Sequence, residues 1–335
     1  MDVITLSHGS GGRITHDLIK EIFFKYFKND ILLQQSDSGI VQKLDGEIAV
    51  TTDSFVINPI FFNGGDIGKL SICGTINDLA VSGAKPMYIT VGFIIEEGLK
   101  IGDLEKIVKS MAQTAKQANV KIITGDTKVV EKGKADKIFI NTTGIGLIED
   151  EGLILSTNNI NEGDKVIVSG TLGDHGMSIV NLREDFGFIA GIKSDCSLLD
   201  ILAKDILNTS KNIKIMRDPT RGGLATALNE IAELSKMSIV ISEKEIPIQD
   251  EVMSMCELLG FDPLYAANEG KLVAIVSSHD AEKVLMAMRK NPLGRDSKII
   301  GEVINDNRSR VYLRTEIGGT RILNMPEGEL LPRIC

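Results

Sequence analysis

Short stretches rich in valine, isoleucine and threonine recur along the chain, and each stops at glycine, aspartate or asparagine. This pattern is typical of buried or half-buried strands. The clearest of these stretches are "EIAVTTDSFV", "MYITVGFII", "VKIITGDTKVV", "KIFINTTGIGLI", "DKVIVSGTLGD" and "KLVAIVSS". Helical patterns lie between them, so the sequence predicts a mixed α/β (α+β) fold.

The helical patterns differ in how much of their surface is apolar. In "GDLEKIVKSMAQTAKQANV" a single face is apolar, at Leu104, Ile107, Val108, Met111, Ala115 and Ala118. The segment "GKLSICGTINDLAVSGA" is apolar on every side, which predicts a buried helix that ends near Gly83. "GGLATALNEIAELSK" and "DAEKVLMAMRKN" predict further helices in the second half.

The polar stretch "EDEGLILSTNNINEGDK" is the best candidate for a domain boundary, near residues 150–163. A length of 335 residues also favours two domains. We therefore predict an N-terminal domain over 1–152 and a C-terminal domain over 153–312. The remaining segment, 313–335, is rich in glycine and proline and has no clean period, so we predict an extended, mobile arm.

Charge and hydropathy exclude some classes of partner. The net charge is −9 and no stretch gathers lysine and arginine, which argues against nucleic acid. The first residues lack a leader pattern, and the most apolar run, 87–95, is too short to cross a membrane. We expect a cytoplasmic protein without membrane contact.

The four cysteines form no CxxC pair. Cys73 and Cys256 lie in apolar helical patterns and are predicted to be core residues, whereas Cys196 is predicted to lie at the surface or at the start of a helix. Cys335 is the last residue, where a side chain cannot help to build a core but can reach into another site.

Aspartates in the first half lie in unusual settings. Asp37, Asp53, Asp78 and Asp126 each have glycine nearby, and Asp53 and Asp126 follow strand-like runs, where α/β folds place ligand groups. Carboxylates without histidine or cysteine suit a hard cation such as Mg²⁺, which usually brings phosphates. The spacing does not exclude the alternative that these aspartates only cap turns.

Three other features suggest ligand chemistry. "SHGSGGR", at 7–13, is a glycine-rich loop before a helical pattern, and its backbone N–H groups suit an anion. No Walker or dinucleotide fingerprint is present, so nucleotide would have to bind by another route. Arg221 lies before two glycines and suits a phosphate, while Asp218 fits a cap. Glu269 precedes an apolar strand, where a desolvated carboxylate can act as a base.

Taken together, the motifs resemble the HypE family of [NiFe]-hydrogenase maturation proteins. The resemblance spans nearly the whole chain, in order, and depends on the combination of segments rather than on any single one. The matching segments include "HGSGG", "GKLSICGTINDLAVSGAKP", "TGDTKVV", "DPTRGG", "ANEGKLV", "NPLGRDSKIIGEV" and the terminal "LPRIC".

The resemblance implies a two-domain PurM-like fold, shared with aminoimidazole ribonucleotide synthetase and selenophosphate synthetase. The N-terminal α/β domain would form a barrel with that of a second copy, and the C-terminal domain would be an α/β sandwich with a flexible tail. ATP and Mg²⁺ would bind against the N-terminal domain of this homodimer.

The resemblance also implies an activity and partners. HypF would load a carbamoyl group onto the terminal sulfur, and this chain would use ATP to dehydrate the S-carboxamide to a thiocyanate. The cyano group would then pass to iron on the HypC–HypD complex.

Residue roles follow from the same resemblance. Cys335 would carry the substrate, Lys128 would steady the reacting oxygen or shuttle a proton, and Glu269 would be the base. ATP would contact Asp37, Asp53, Asn77, Asp78, Asp126 and Thr127, and Mg²⁺ would be held by Asp53, Asp78 and Asp126.

Two other hypotheses remain open from the sequence. One is a small-molecule kinase or synthetase of the same superfamily, whose activity would not depend on Cys335. The other is a nucleotide-gated scaffold whose terminal cysteine only docks a partner.

Overall fold

A computed structural model of the chain describes residues 3–150, 152–183 and 191–328. The helices of the first half are α1 (Arg13–Leu18), α2 (Phe24–Phe27), α3 (Ile67–Val81) and α4 (Ile101–Gln117). Its strands are β1 (Glu47–Phe55), β2 (Phe61–Phe62), β3 (Gly65–Asp66), β4 (Lys85–Glu96), β5 (Lys121–Val130) and β6 (Ile138–Ile148).

The N-terminal domain is a twisted sheet with helices on one face. The strand order is β1-β6-β4-β5, in which β4 and β5 are parallel and the other neighbours are antiparallel. Helix α3 packs against β1 and β6 and against α4. Asp66 caps its N-terminus by accepting hydrogen bonds from the N–H groups of Gly68 at 2.7 Å and Lys69 at 3.1 Å.

The opposite face of this sheet is not covered within the described chain. Large apolar side chains on it are exposed: Ile48 by 56%, Val50 by 65% and Ile94 by 44%. A run of exposed aliphatic residues on one sheet face is typical of a surface that meets a partner.

The second half has the helices α5 (Asp174–Arg183), α6 (Asp200–Thr209), α7 (Gly223–Ser235), α8 (Asp250–Leu259) and α9 (Ala281–Lys290). Its strands are β7 (Lys165–Val168), β8 (Ile213–Arg217), β9 (Ser238–Ser242), β10 (Val273–Val276), β11 (Lys298–Ile304), β12 (Val311–Arg314) and β13 (Thr320–Ile322). They form a sheet of order β13-β12-β9-β11-β7-β10-β8.

The two sheets are built from separate parts of the chain. Strand β6 ends at Ile148 and β7 begins at Lys165. The predicted start of a mobile arm at residue 313 is wrong, because β12 and β13 add two strands to the C-terminal sheet and Leu323 is fully buried. Gly318, in the left-handed region with φ +88°, forms the turn between them, so the glycines mark a hairpin.

Helix α3 is buried on all sides because it packs against elements of both domains. Its side-chain amide at Asn77 donates to the carbonyl oxygens of Ser197, at 3.0 Å, and Glu269, at 3.3 Å. It also accepts from the Leu199 N–H at 2.8 Å. One residue of the N-terminal domain therefore holds two loops of the C-terminal domain.

No helix within the described residues is both long enough and apolar enough to cross a membrane.

Candidate active site

Two cavities contain most of the predicted functional residues. The first, which we call the glycine-loop cavity, has a volume of 420 Å³ and is lined by the loop at residues 9–11 and by Asp126, Thr127 and Lys128 of β5. The second, the acid cavity, has a volume of 340 Å³ and is lined by Asp53, Asp78, Asp218, Arg221 and Glu269, among others.

The glycine-loop cavity is apolar on one side and polar on the other. Its apolar wall comes from the first helices and the sheet, through Phe23, Phe24, Phe27 and Phe93. Its polar wall is the loop backbone and the β5 side chains, of which Asp126 and Lys128 are exposed. A flat ring system with an attached anionic chain fits such a divided lining.

The acid cavity brings together carboxylates from three elements. Asp53 comes from β1, Asp78 from α3 and Asp218 from the turn after β8. The Thr51 hydroxyl donates to Asp78 Oδ2 at 2.7 Å, and Arg221 Nη2 lies 3.8 Å from Asp53 Oδ1. These three acids meet because the strands and α3 end around one opening between the domains.

Burial and the charge of neighbouring carboxylates raise the pKa values of Asp53 and Asp218. Burial, followed by the charge of Asp78, raises the pKa of Asp53 to about 6, although Arg221 opposes the shift. Burial, again followed by Asp78, raises the pKa of Asp218 to about 7. A site that concentrates uncompensated negative charge in this way favours a cation.

The donor set of the acid cavity fits Mg²⁺ in the presence of phosphates. Within the described residues, no group of three or more acidic, histidine or cysteine side chains is arranged to enclose a metal ion alone. Mg²⁺ does not need this, since proteins usually hold it through one or two carboxylates and the phosphates of the substrate. The Thr226 hydroxyl also lines the cavity, is buried and has no hydrogen-bond partner among the described residues.

Glu269 lies at the inner wall of the acid cavity. Its side chain is only 3% exposed. Burial raises its pKa well above the ordinary value, and the nearby Cys196, Asp195, Asp218 and Asp53 add to the shift. A carboxylate of this kind has a higher proton affinity than one in water, as a general base requires.

A buried ion network fixes the backbone at Glu269. Asp195 accepts hydrogen bonds from the N–H groups of Glu269 at 3.0 Å and Gly270 at 3.2 Å. Its carboxylate also lies 3.2 Å from Lys271 Nζ, which is 3.5 Å from Asp174. Gly270 leaves room for this contact, because a Cβ there would overlap the carbonyl oxygen of Asp195.

The predicted site residues thus divide between the two cavities. Asp53 pairs with Thr142 of β6, Thr142 with Val91 of β4, and Val91 with Gly125 of β5, the residue before Asp126. Three strand spacings amount to about 14 Å. Asp53 and Asp126 therefore lie at opposite edges of one sheet, inside β1 and β5 rather than after them as the sequence pattern suggested.

Two predicted residues line neither cavity. Asp37 is exposed in the segment between α2 and β1. Asn77 is buried and joins the domains through the hydrogen bonds described above. Cys335 lies outside the described residues.

Sequence reasoning missed several residues around Glu269. Asp218 was interpreted as a cap, and Asp195 and Lys271 were not singled out. The surface position predicted for Cys196 was wrong, because its side chain is only 1% exposed. The motifs were the available signal for two of these residues, since Asp218 lies three residues before "RGG" and Lys271 ends "NEGK", whereas Asp195 lies in a loop without a motif.

Comparisons with known proteins agree with this architecture. The model of the N-terminal domain of the AIR synthase related protein family matches residues 35–148 of this chain. The model of the C-terminal domain of that family matches residues 161–314. Among curated relatives, the carbamoyl dehydratase HypE of Bradyrhizobium diazoefficiens is 49% identical over 333 residues, covering 99% of this chain and 96% of that protein.

Solved structures agree as well. A crystal structure of the hydrogenase maturation protein HypE in complex with ATP superposes with a TM-score of 0.94 and 43% identity, covering 98% of this chain and 99% of the other. A chain in a crystal structure of the HypE–HypF complex superposes with a TM-score of 0.81 and 47% identity, covering 92% of this chain and 99% of the other. The two-domain fold and the enzyme class predicted from the sequence are confirmed, and the chain belongs to the HypE family of carbamoyl dehydratases, enzymes of hydrogenase maturation.

Proposed function

We propose that this chain dehydrates an S-carboxamide on its own Cys335 to a thiocyanate, at the expense of ATP, and so supplies the cyanide ligands of the [NiFe]-hydrogenase iron centre. The observation that most supports this is the buried Glu269, which faces three aspartates in one cavity of a chain whose relatives are carbamoyl dehydratases.

The carboxamide oxygen leaves the substrate as part of phosphate. The carboxamide oxygen takes the terminal phosphoryl group of ATP, the carbon–oxygen bond breaks, and phosphate leaves as the C≡N bond forms. The two nitrogen protons must be removed for this to happen. The first proton passes to water as the oxygen is phosphorylated, and Glu269 takes the second as the C≡N bond forms. Lys128 steadies the oxygen as negative charge develops on it.

ATP and Mg²⁺ are the proposed cosubstrate and cofactor. Of the three predicted ligands, Asp53 and Asp78 would hold the ion in the acid cavity, with Asp218 as an acid that the structure adds to the set. Asp126 of the same subunit lies at the opposite edge of the sheet and lines the other cavity, so it cannot join them within one subunit. Mg²⁺ would neutralise phosphate charge there. Asp126 and Thr127 would contact nucleotide in the glycine-loop cavity, and Asp37 remains a proposed contact. We propose Asn77 as a positioning residue, since its hydrogen bonds fix the loop that ends in Glu269.

A homodimer would bring the two cavities to one substrate. Within one subunit, Lys128 and Glu269 line different cavities. We propose that the exposed sheet face with Ile48, Val50 and Ile94 packs against the same face of a second copy, so that β5 of one subunit lies beside the acid cavity of the other. Lys128 would then act on cargo held near the partner's Glu269.

The proposed partners follow from the chemistry and from the relatives. A HypE of known structure was crystallised with HypF, which supports HypF as the carbamoyl donor for this chain. The HypC–HypD complex is the proposed cyanide acceptor. The reaction needs ATP and a reduced thiol, both of which the cytoplasm supplies, and no step needs nucleic acid or a membrane.

The experiment that tests this function is mass spectrometry of the C-terminal peptide. The purified chain is carbamoylated with HypF and carbamoyl phosphate and then given Mg²⁺ and ATP. We expect Cys335 to lose the mass of one water only when ATP is present. Turnover of ATP with a free small substrate in a Cys335→Ser variant would instead support a kinase, and an unchanged adduct mass would support a scaffold.

A further inference from the structure

Helix α5 begins with two buried polar side chains, those of Asp174 and His175. Asp174 pairs with Lys271 in the buried ion network at Glu269. His175 is fully buried, and its Nδ1 lies 2.8 Å from the hydroxyl oxygen of Ser194. A polar side chain that is withdrawn from water needs hydrogen-bond partners, and His175 has one in the loop that carries Asp195.

The Ser194 hydroxyl closes a turn around Asp195. Its oxygen accepts a hydrogen bond from the N–H of Cys196 at 3.1 Å, a local contact that fixes a turn of the backbone. Asp195 lies between these two residues, and its carboxylate accepts from the N–H groups of Glu269 and Gly270. His175 and Ser194 therefore fix the turn from which Asp195 holds the proposed base.

The N-terminal domain holds the same loop from the other side, through the hairpin of β2 and β3. The Ser194 N–H donates to the Asn63 carbonyl at 2.8 Å. Gly64 follows with φ +101°, and a Cβ there would lie only 2.7 Å from the Ser194 carbonyl oxygen. The Phe62 ring meets the His175 ring edge-on, with centroids 5.6 Å apart. Both domains thus contribute to the position of this loop.

The start of α5 also holds the segment that leads into Glu269. The Gly173 N–H donates to Asn268 Oδ1 at 2.8 Å, and the Gly176 N–H donates to the Ala267 carbonyl at 3.0 Å. The same few residues therefore hold the backbone before Glu269 directly and the backbone at Glu269 through Asp195. A base must lie within hydrogen-bond reach of the proton that it removes, so its position depends on these contacts.

We propose that His175 and Ser194 are positioning residues of the reaction, which hold Asp195 against the backbone of Glu269 and so place the carboxylate that takes the proton. This inference rests on the proposed function. Neither residue lines the acid cavity. Because Asn63 of the N-terminal domain holds Ser194, the contact between the domains sets the geometry of a base in the C-terminal domain.

Removal of the Ser194 hydroxyl tests this role. We expect Ser194→Ala to slow dehydration of the carbamoylated Cys335 by about tenfold at saturating ATP, because a small displacement of a catalytic group is costly. KM for ATP should stay unchanged, since Ser194 lines neither cavity. A rate equal to that of the matched control would overturn the proposal.

The matched control is Ser210→Ala. Ser210 is 6% exposed and Ser194 is 8% exposed. The Ser210 hydroxyl also accepts from the backbone N–H two residues later, that of Asn212, at 2.9 Å. It lies at the end of α6 and lines neither cavity. The control therefore loses the same kind of buried contact, and we expect it to dehydrate at the wild-type rate.

Two substitutions of His175 separate its hydrogen bond from its volume. The amide of His175→Asn lies near the place of Nδ1 and keeps a polar group toward Ser194, whereas His175→Leu fills space without one. We expect the asparagine variant to retain most of the rate and the leucine variant to lose about tenfold. Equal rates for the two variants would exclude a positioning role for the His175 hydrogen bond.

A double variant tests whether Ser194 acts through Asp195. If it does, Ser194→Ala combined with Asp195→Asn should be no slower than Asp195→Asn alone, because residues that act as one unit are not additive. Two reductions in rate that multiply would show that Ser194 acts by another route and would overturn the proposal.

Hydrogen exchange tests the contact without the reaction. In Ser194→Ala we expect faster exchange in the peptide that contains Glu269 and Gly270, whose N–H groups donate to Asp195, and no change in Ser210→Ala. An inactive wild-type chain would contradict the proposed function, while this measurement would still report on the contact. An active wild type, with neither rate nor exchange altered in Ser194→Ala, would contradict this inference alone.

Discussion

At the scale of single residues, the environment of Glu269 determines what the site can do. Its own side chain provides a base of raised proton affinity, but its backbone is held by Asp195, which in turn is held by Lys271. Lys271 and Asp195 are 12% and 2% exposed, so the network is shielded from water and salt. The geometry of the base therefore depends on residues that do not contact the proposed substrate.

We expect Asp195→Asn to slow dehydration by about ten- to a hundredfold, because a small displacement of a catalytic group is costly. KM for ATP should not change, and rate and KM are measured separately on the carbamoylated protein. The control is Asp150→Asn, since Asp150 also accepts from a backbone N–H, that of Gly152, and pairs with a lysine, but on the surface. A rate equal to that of the control would contradict the positioning role.

The pKa of Asp218 leads to a prediction about stability. Its folded pKa is about 7, above the ordinary value of 3.8, so the folded state binds a proton that the unfolded state releases. The stability that this proton binding contributes is fully present below pH 4 and is lost as the pH rises through 7. We expect the metal-free protein to lose melting temperature over this range, and Asp218→Asn to lose less. If the melting temperatures of the two proteins, measured with a chelator present, fell equally with pH, the raised pKa would be contradicted.

At the scale of elements, local pattern was sufficient where an element is long and regular. The amphipathic pattern of α4 and the all-round apolar pattern of α3 predicted both helices. Strands β8, β9, β11 and β12 were not predicted, because their state is decided by tertiary pairing within the sheet rather than by the local sequence. Asp53 and Asp126 looked like strand ends because a polar residue interrupts an apolar run, yet the strands continue beyond them.

Helix α3 provides a test of the link between the domains. Asn77→Ala would leave the carbonyl of Glu269 and the N–H of Leu199 without their buried partner. We expect a loss of about 1–3 kcal/mol in the free energy of unfolding, measured by denaturant titration, together with slower dehydration. Asn212→Ala, which removes an exposed hydrogen bond to Asp280, is the control. Equal losses for the two variants would show that Asn77 does not hold the loops.

At the scale of the whole molecule, one chain contains two separate parts of the proposed active site, the glycine-loop cavity and the acid cavity. The sequence identified residues of both, since their motifs are local, but their separation across the sheet depends on strand order, which no motif encodes. The predicted tail was also too long, because β12 and β13 belong to the C-terminal sheet.

The proposed dimer can be tested by charge on the exposed sheet face. We expect Val50→Glu to produce a monomer in sedimentation equilibrium and to abolish dehydration, because buried like charges would face each other across the interface. Leu258→Glu on α8 is a matched control, as both side chains are 65% exposed. A dimeric, active Val50→Glu protein would exclude this face as the interface.

The most direct test of the central claim follows the oxygen atom. The wild-type chain is carbamoylated with a carboxamide that contains heavy oxygen, then given Mg²⁺ and unlabelled ATP, and the released phosphate is analysed by mass spectrometry. Dehydration through phosphoryl transfer predicts one heavy oxygen in the phosphate for each thiocyanate formed on Cys335. Thiocyanate formed with unlabelled phosphate, or labelled oxygen recovered only in water, would contradict the mechanism.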